Sequence, residues 1–349
     1  MTRNLSPRWV FVSLTGLLAV LILCSLAVGA VGIPPLEVLG ILAQAAGISG
    51  LPDYDAGHAA VLLDIRAPRI VLGVLVGSAL AMSGATIQGL FRNPLADPGL
   101  IGVSSGAALA AVSVIVLGST LLQGLSEALG YYTLPVAAFI GSLLVTLLVY
   151  RLANVEGRTD VATMLLAGVA INALMGAATG LLTYMADDAQ LRTLTFWAMG
   201  SLGGVTWVQV LAVAPLILIP LFILPFFAHA LNAILLGEAE AGHLGFNLER
   251  IKQGLIVLVA LVVGSTVALT GVIGFVGLVV PHLLRLMLGP DHRLLLPASA
   301  LLGASLLLAA DLLARTLVTP AELPIGIITA ALGGPFFLWL LGRYRNRGF

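Results

Sequence analysis

Long apolar runs separated by short polar joints set the rhythm of this chain. Apolar residues dominate from Trp9 to Ile33, Ile70 to Leu90, Gly99 to Leu117, Leu134 to Tyr150, Val161 to Met185, Val205 to Ala228 and Gln253 to Thr270. They continue through a segment interrupted by Gly271, Gly274, Gly277 and Pro281 as far as Gly289, then from Leu294 to Ala314 and from Ile325 to Leu341. A bilayer is crossed by about 20 apolar residues in a helix, so the pattern predicts an all-α, polytopic membrane protein of about ten transmembrane helices. The first run follows Arg3 and Arg8 and has small residues near Ala27 and Ala30, as a signal peptide would. It exceeds the roughly 7 to 15 residues of a signal's apolar core, so a retained first span is expected.

Composition agrees with a membrane solvent. Hydrophobic residues make up 60% of the 349 and charged residues 9%, where a soluble domain would carry about 25% charge. The formal net charge of +0 excludes the basic stripe of a nucleic-acid binder. Cys24 is the one cysteine, so an intrachain disulfide and a cysteine metal site are both excluded.

Basic residues orient the spans. With the N-terminus inside, Arg92, Arg151, Arg158, Arg250, Lys252, Arg285, Arg293 and Arg343 fall on the cytoplasmic side, and only Arg66, Arg69, Arg192 and Arg315 fall outside. The positive-inside bias therefore places both termini in the cytoplasm.

One stretch breaks the apolar rhythm. Leu231 to Lys252 holds Glu238, Glu240, Glu249, Arg250 and Lys252, and each ionised group would cost about 2.5 to 3.5 kcal/mol at a bilayer centre. Leu231, Ile234, Leu235 and Ala239 recur at helical spacing, while Gly237, Gly242 and Gly245 divide the stretch. Two short helices on the cytoplasmic membrane surface are expected.

The chain also resembles itself. Sliding it so that Gly77 meets Gly264 brings Ser78 onto Ser265, Ala81 onto Ala268, Gly84 onto Gly271 and Pro94 onto Pro281. Five expected crossings separate the copies, so they run in opposite directions. Inverted repeats with broken helices are a transporter architecture.

Several motifs then carry a family resemblance. They are Arg66-Ala-Pro-Arg69, the Arg-Asn-Pro-Leu-Ala-Asp-Pro core within Gly84 to Gly106, and Leu231 to Gly245. Further on come Gly274-Phe-Val-Gly-Leu-Val-Val-Pro-His282, Asp291-His-Arg-Leu-Leu-Leu-Pro297 and Glu322-Leu-Pro-Ile-Gly326. The sequence resembles the permease subunits of ATP-driven (ABC) importers for iron-siderophore, haem and cobalamin over nearly its whole length. The resemblance implies a single transmembrane permease domain over residues 1–349, with repeat halves near 66–185 and 253–341 and coupling helices within 231–250. It implies a homodimer with the path between the copies, two separate ATPase subunits on the cytoplasmic face and a periplasmic substrate-binding protein. The location would be the bacterial inner membrane. The chain has no Gly-x-x-x-x-Gly-Lys-Ser/Thr phosphate loop, so it is not expected to be an enzyme or to hold a permanent cofactor, and ATP would be used by the partner.

The resemblance also assigns residues. Gly237, Glu238, Glu240, Ala241, Leu244 and Gly245 would couple to the ATPase. Arg66, Arg69 and Arg315 would dock the binding protein, for which the arginine fork suits carboxylates. Asn172, Thr179 and Thr183 would line the path, on a span where Gly168, Asn172, Gly176 and Gly180 recur every four residues and let helices approach. Asn154, Gly157 and Asp160 would belong to the inner gate.

Cargo is the least written part of the sequence. Leu181 to Arg192 looks most like the haem-importing branch, and the sparse charge along the path suits a flat apolar porphyrin. None of His58, His229, His243, His282 and His292 stands mid-span as an axial ligand. Ferric siderophore and cobalamin are the alternatives. An ion-driven secondary transporter would want acidic relays within the spans, and Asp311 has Arg315 four residues on as a local partner. An intramembrane metalloenzyme would want a second ligand near His282.

Overall fold

The computed structural model describes residues 6–29, 31–45, 47–48, 54–155, 158–319 and 321–345. It is a helical bundle. In chain order it comprises α1 (Pro7–Ala27), α2 (Pro35–Ala45), α3 (Ala56–Ala60), α4 (Ala67–Leu90), α5 (Val103–Leu117), α6 (Gln123–Leu129) and α7 (Thr133–Ala153). A two-stranded hairpin, β1 (Asn154–Val155) with β2 (Arg158–Thr159), leads into α8 (Val161–Met185), α9 (Asp188–Ala198) and α10 (Trp207–Ile223). Then come α11 (Ala228–Leu236), α12 (Glu238–His243), α13 (Leu248–Thr270), α14 (Val276–Leu288), α15 (His292–Thr316) and α16 (Ile325–Arg345).

Every span expected from the apolar runs coincides with one of these helices. Seven helical segments among the described residues are long and apolar enough to cross a membrane, the second of them running without interruption from Ala56 to Leu90 through a π turn at Val61–Arg66. Val103–Leu117, Val276–Leu288 and Ile325–Leu340 are shorter. α9 lies where a polar joint was expected, and its start is a capping box: Asp187 accepts from the Gln190 backbone N–H, and the Gln190 side chain accepts from the Asp187 N–H.

The bundle is organised around α4. Nearly all of its residues are buried, because its glycines, alanines and serines admit neighbouring backbones closely. A Cβ on Gly77 would stand 2.4 Å from the Gly303 carbonyl oxygen of α15, and one on Gly84 would stand 1.8 Å from that of Gly277 in α14. Both are below any real contact distance, so α4, α14 and α15 meet backbone to backbone.

The interruption before α14 is real. Gly271 has φ +69° and ends α13, and Phe275 also takes a positive φ of +69° at the start of α14. The neighbouring turn at 199–201 holds this region together. Ser201 N–H donates to the Thr270 carbonyl at 2.8 Å, while Ile325 and Gly326 donate to the carbonyls of Gly200 and Met199. Gly271 and Ile273 of this irregular backbone are thereby buried in protein, while Gly274 is exposed.

The order long helix, break, short helix, long helix, long helix occurs twice, in α4, α5, α7 and α8 and in α13 to α16. The sequence register of the repeat does not follow the elements, since Gly84 lies within α4 whereas Gly271 caps α13.

Candidate functional site

The surface stretch folds as two short helices, α11 and α12, joined by Gly237 at φ +137°. That angle belongs to glycine, and a Cβ there would also collide with the Glu240 carboxylate. The bend re-aims α12, so the apolar face does not continue through it. Leu231 and Ile234 are buried as expected, but Leu235 and Ala239 are exposed and Ala233 and Ala241 take the inner positions. The expectation that Leu231, Ile234, Leu235 and Ala239 share one face is corrected: Gly237 ends α11 before Ala239, and Leu235, within α11, lies on its exposed side. Glu240, Gly242, His243, Leu244 and Gly245 remain on the surface, and Leu244 is 63% exposed.

Glu238 is not free for a partner in the way its charge suggests. Its carboxylate pairs with Lys252 Nζ at 2.7 Å, and Lys252 is a buried lysine. The same Nζ donates to the Thr159 carbonyl at 2.8 Å. Thr159 is also held by Glu249, which accepts from its backbone N–H at 2.8 Å and from its hydroxyl, while Tyr150 donates to Glu249 at 3.1 Å. The segment expected to gate is therefore a hairpin clamped to the first turns of α13. Asn154 lies at its base, Gly157 falls outside the described residues, and Asp160 caps α8 by accepting from Thr163 N–H at 2.7 Å. The Thr163 hydroxyl and N–H hold the Asp160 carboxyl below its usual pKa.

Arg66, Arg69 and Arg315 come together at the far end of α4 and α15, about 30 Å by helix rise from the start of α15, where it meets α11. The three arginines are buried, at 4%, 8% and 6% exposed. Arg66 donates to the carbonyls of Leu26 and Val31. Arg69 pairs with Asp311 at 2.8 Å and with Glu322 at 2.9 Å, and Arg315 pairs with the other Asp311 oxygen at 3.1 Å. Burial is accompanied by partners: Arg66 and Arg315 donate to carbonyls at and just beyond the end of α1, and Arg69 and Arg315 share the Asp311 carboxylate. Arg315 Nη2 has no hydrogen-bond partner among the described residues, and Glu322 is the exposed member of the group.

α8 carries the residues expected to line a path. Asn172 is half-buried and spends its amide within the chain, donating to the Gly99 carbonyl at 3.1 Å and accepting from the Ser105 hydroxyl at 2.5 Å. Thr183 donates to the Thr179 carbonyl one turn back. The glycine stripe divides in two: a Cβ on Gly168 would strike the Leu100 carbonyl, whereas Gly176 and Gly180 face nothing within 4 Å. Among the candidate spans α8 is the least covered by its own subunit.

Sequence reasoning did not single out Thr159 or Asn232, and it counted Lys252 and Glu249 only as surface charge. The Asp311–Arg315 pair was legible from its spacing, yet its third member, Arg69, comes from 242 positions away. His282 is buried, with neither ring nitrogen hydrogen-bonded among the described residues and an edge-on contact to Phe336. No cluster of His, Cys, Asp or Glu among the described residues could hold a metal ion.

The chain is 53% identical over 288 residues to the hemin transport system permease protein HmuU of Yersinia pestis, covering 82% of this chain and 84% of that one. It is 41% identical over 343 residues to the vitamin B12 import system permease protein BtuC of Klebsiella pneumoniae, covering 98% and 96%. Among solved structures, a metal-chelate type ABC transporter in an inward-facing conformation matches with TM-score 0.82 at 32% identity, over 97% of this chain and 99% of that one. The model of the FecCD transport family matches residues 17–343, and this multi-pass membrane protein, an ABC importer permease, belongs to that family.

Proposed function

We propose that the chain forms the membrane path of an ATP-driven haem importer. The observation that carries this reading is the 53% identity to a hemin permease, against 41% to a vitamin B12 permease over a longer stretch. The sparse charge along α8 agrees with an apolar porphyrin as cargo. Haem here is substrate, and the conduit need not ligate its iron to pass it.

In this reading two copies pair in the bacterial inner membrane with α8 of each beside the shared path and both sets of termini in the cytoplasm. The open faces at Gly176 and Gly180 support a second copy approaching there. The exposed α12, with Glu240, Leu244 and Gly245, seats in a separate ATPase subunit that supplies the hydrolysis. A periplasmic binding protein docks at the opposite end. Since Arg66, Arg69 and Arg315 are buried, docking reaches them through the exposed Glu322 rim, and a carboxylate of the binding protein competes with Glu322 for Arg69. The hairpin before α8 closes the inner mouth.

Cobalamin is the second reading, favoured by the near full-length match to a vitamin B12 permease. The test is reconstitution of the complete complex in liposomes with its binding protein, followed by ATP-dependent uptake of haem, cobalamin and a ferric siderophore. Haem uptake is expected; cobalamin or siderophore uptake without haem uptake overturns the cargo and leaves the permease intact.

A further inference from the structure

We infer that Lys252 is a positioning residue that latches the α12 surface helix to the hairpin in front of α8, so that the two move as one unit when the partner ATPase pulls on α12. This deepens the reading above and rests on its assignment of α12 and the hairpin.

The geometry that carries it lies at a three-way junction. Lys252 stands on the second turn of α13 and is 4% exposed. Its ammonium bonds the Glu238 carboxylate, on the first turn of α12, at 2.7 Å and the Thr159 carbonyl, the last residue of β2, at 2.8 Å. A buried ammonium must keep its partners, because losing one leaves a charge uncompensated in a poor solvent. A displacement of α12 therefore draws on the same ammonium that holds the hairpin. Glu249, one turn earlier on α13, tightens the grip by accepting both the N–H and the hydroxyl of Thr159. All three polar groups of Thr159 are thus bound to α13, and Thr159 itself is buried. Beyond Thr159 the chain has one residue, Asp160, before α8 begins, and Asp160 is fixed as the α8 cap. The line of contacts runs from α12 through Glu238, Lys252 and Thr159 to the first turn of α8.

Two other features of the junction point the same way. α12 has one buried side chain, Ala241, so packing alone holds it weakly and the ion pair is its main polar tie to α13. Glu238 is 38% exposed, which lets the pair adjust as α12 is loaded while Lys252 stays buried.

The experiment uses the reconstituted complex in a Cys24→Ser background with Arg158→Cys as a reporter on the exposed face of the hairpin. The rate of labelling by an aqueous maleimide is measured with and without trapped ATP, alongside haem moved per ATP hydrolysed. In the otherwise unaltered chain the labelling rate is expected to change with ATP. With Lys252→Met that change is expected to vanish, and transport per ATP to fall about tenfold, as suits loss of a buried ionic tie. Copurification of the ATPase subunit verifies assembly. Glu238→Gln, on a half-exposed side chain that tolerates change, is expected to reduce the ATP response in the same direction, and the double substitution to add nothing beyond Lys252→Met alone.

An ATP response that survives Lys252→Met, or additive effects of the two substitutions, overturns the latch and leaves the gate and cargo readings standing. A hairpin whose labelling ignores ATP in the unaltered chain overturns the latch and the gate together, while haem uptake still reports on the cargo separately.

Discussion

Asn232 near the middle of α11 grips His292 at the start of α15 by two bonds to one oxygen. Its Oδ1 accepts from the His292 backbone N–H at 2.8 Å and faces the ring Nδ1 at 2.9 Å, while its Nδ2 donates to Asp291 at 2.7 Å. One short amide thus ties the helix before Gly237 to the N-terminus of α15, whose opposite end carries Asp311 and Arg315.

Removing that amide has a defined cost. Asn232→Ala leaves the His292 N–H and ring without their acceptor in a part-buried site, for which a loss of about 1 to 3 kcal/mol is expected. Asn232→Asp is expected to cost more, since it sets a second carboxylate against Asp291 where an amide now donates. Chemical denaturation in detergent micelles checks the order; a neutral Asn232→Ala would mean that the junction is held by packing alone.

Much of the bundle is legible from the sequence because transmembrane helices announce themselves by length and apolarity. The Asp311–Arg315 pair is legible because four residues make one helical turn. The Lys252 contact to Thr159 is not. It joins residues 93 positions apart, and its acceptor is a backbone carbonyl, which every residue type carries. The burial of Arg66, Arg69 and Arg315 is equally silent in sequence, since arginines on the translocated side read as exposed until a shared carboxylate and the open end of α1 are placed beside them. The rotation of α12 escapes a periodicity argument for a simpler reason: Gly237 interrupts the period, and its φ is set by the fold.

The backbone approach of α4 to α14 sets a second expectation. In Gly84→Ala the new methyl meets the Gly277 carbonyl, and both backbones must move apart, which costs about 1 to 3 kcal/mol or more as overpacking. Gly16→Ala is the control, because it lies within α1 with nothing within 4 Å and is expected to be neutral or stabilising. Thermal unfolding of the two variants in the same detergent distinguishes them, and equal midpoints would contradict the close approach.

A third expectation concerns pH. Hydrogen bonds from Arg293, followed by that from Asn232, hold the Asp291 carboxyl well below its usual pKa. A carboxyl depressed in the folded state contributes its stability in full above the unfolded pKa, about 3.9, and loses it as pH falls towards the folded value. The difference in unfolding midpoint between the native chain and Asp291→Asn should therefore stay constant from about pH 8 to pH 5 and shrink only in stronger acid. A gap that closes near neutral pH would point to a histidine instead.

The arginine cluster gives the sharpest ordering. Asp311 is 1% exposed and is shared by Arg69 and Arg315. Asp311→Asn leaves Arg315 without its carboxylate and Arg69 with Glu322 alone, and breaking such a group from the side of its shared partner is expected to cost about 3 to 5 kcal/mol. Arg69→Met is expected to cost less, because Asp311 keeps Arg315 and Glu322 is half in solvent. Glu322→Gln should be nearly neutral for stability, its pair being screened by water, while altering the access of a docking carboxylate to Arg69. Combining Arg69→Met with Asp311→Asn should recover part of the Asp311→Asn loss, since the double substitution removes the cation that repels Arg315. Unfolding free energies for the single variants and the double variant measure this directly, and strictly additive losses would show that Arg69 and Asp311 do not stabilise one another.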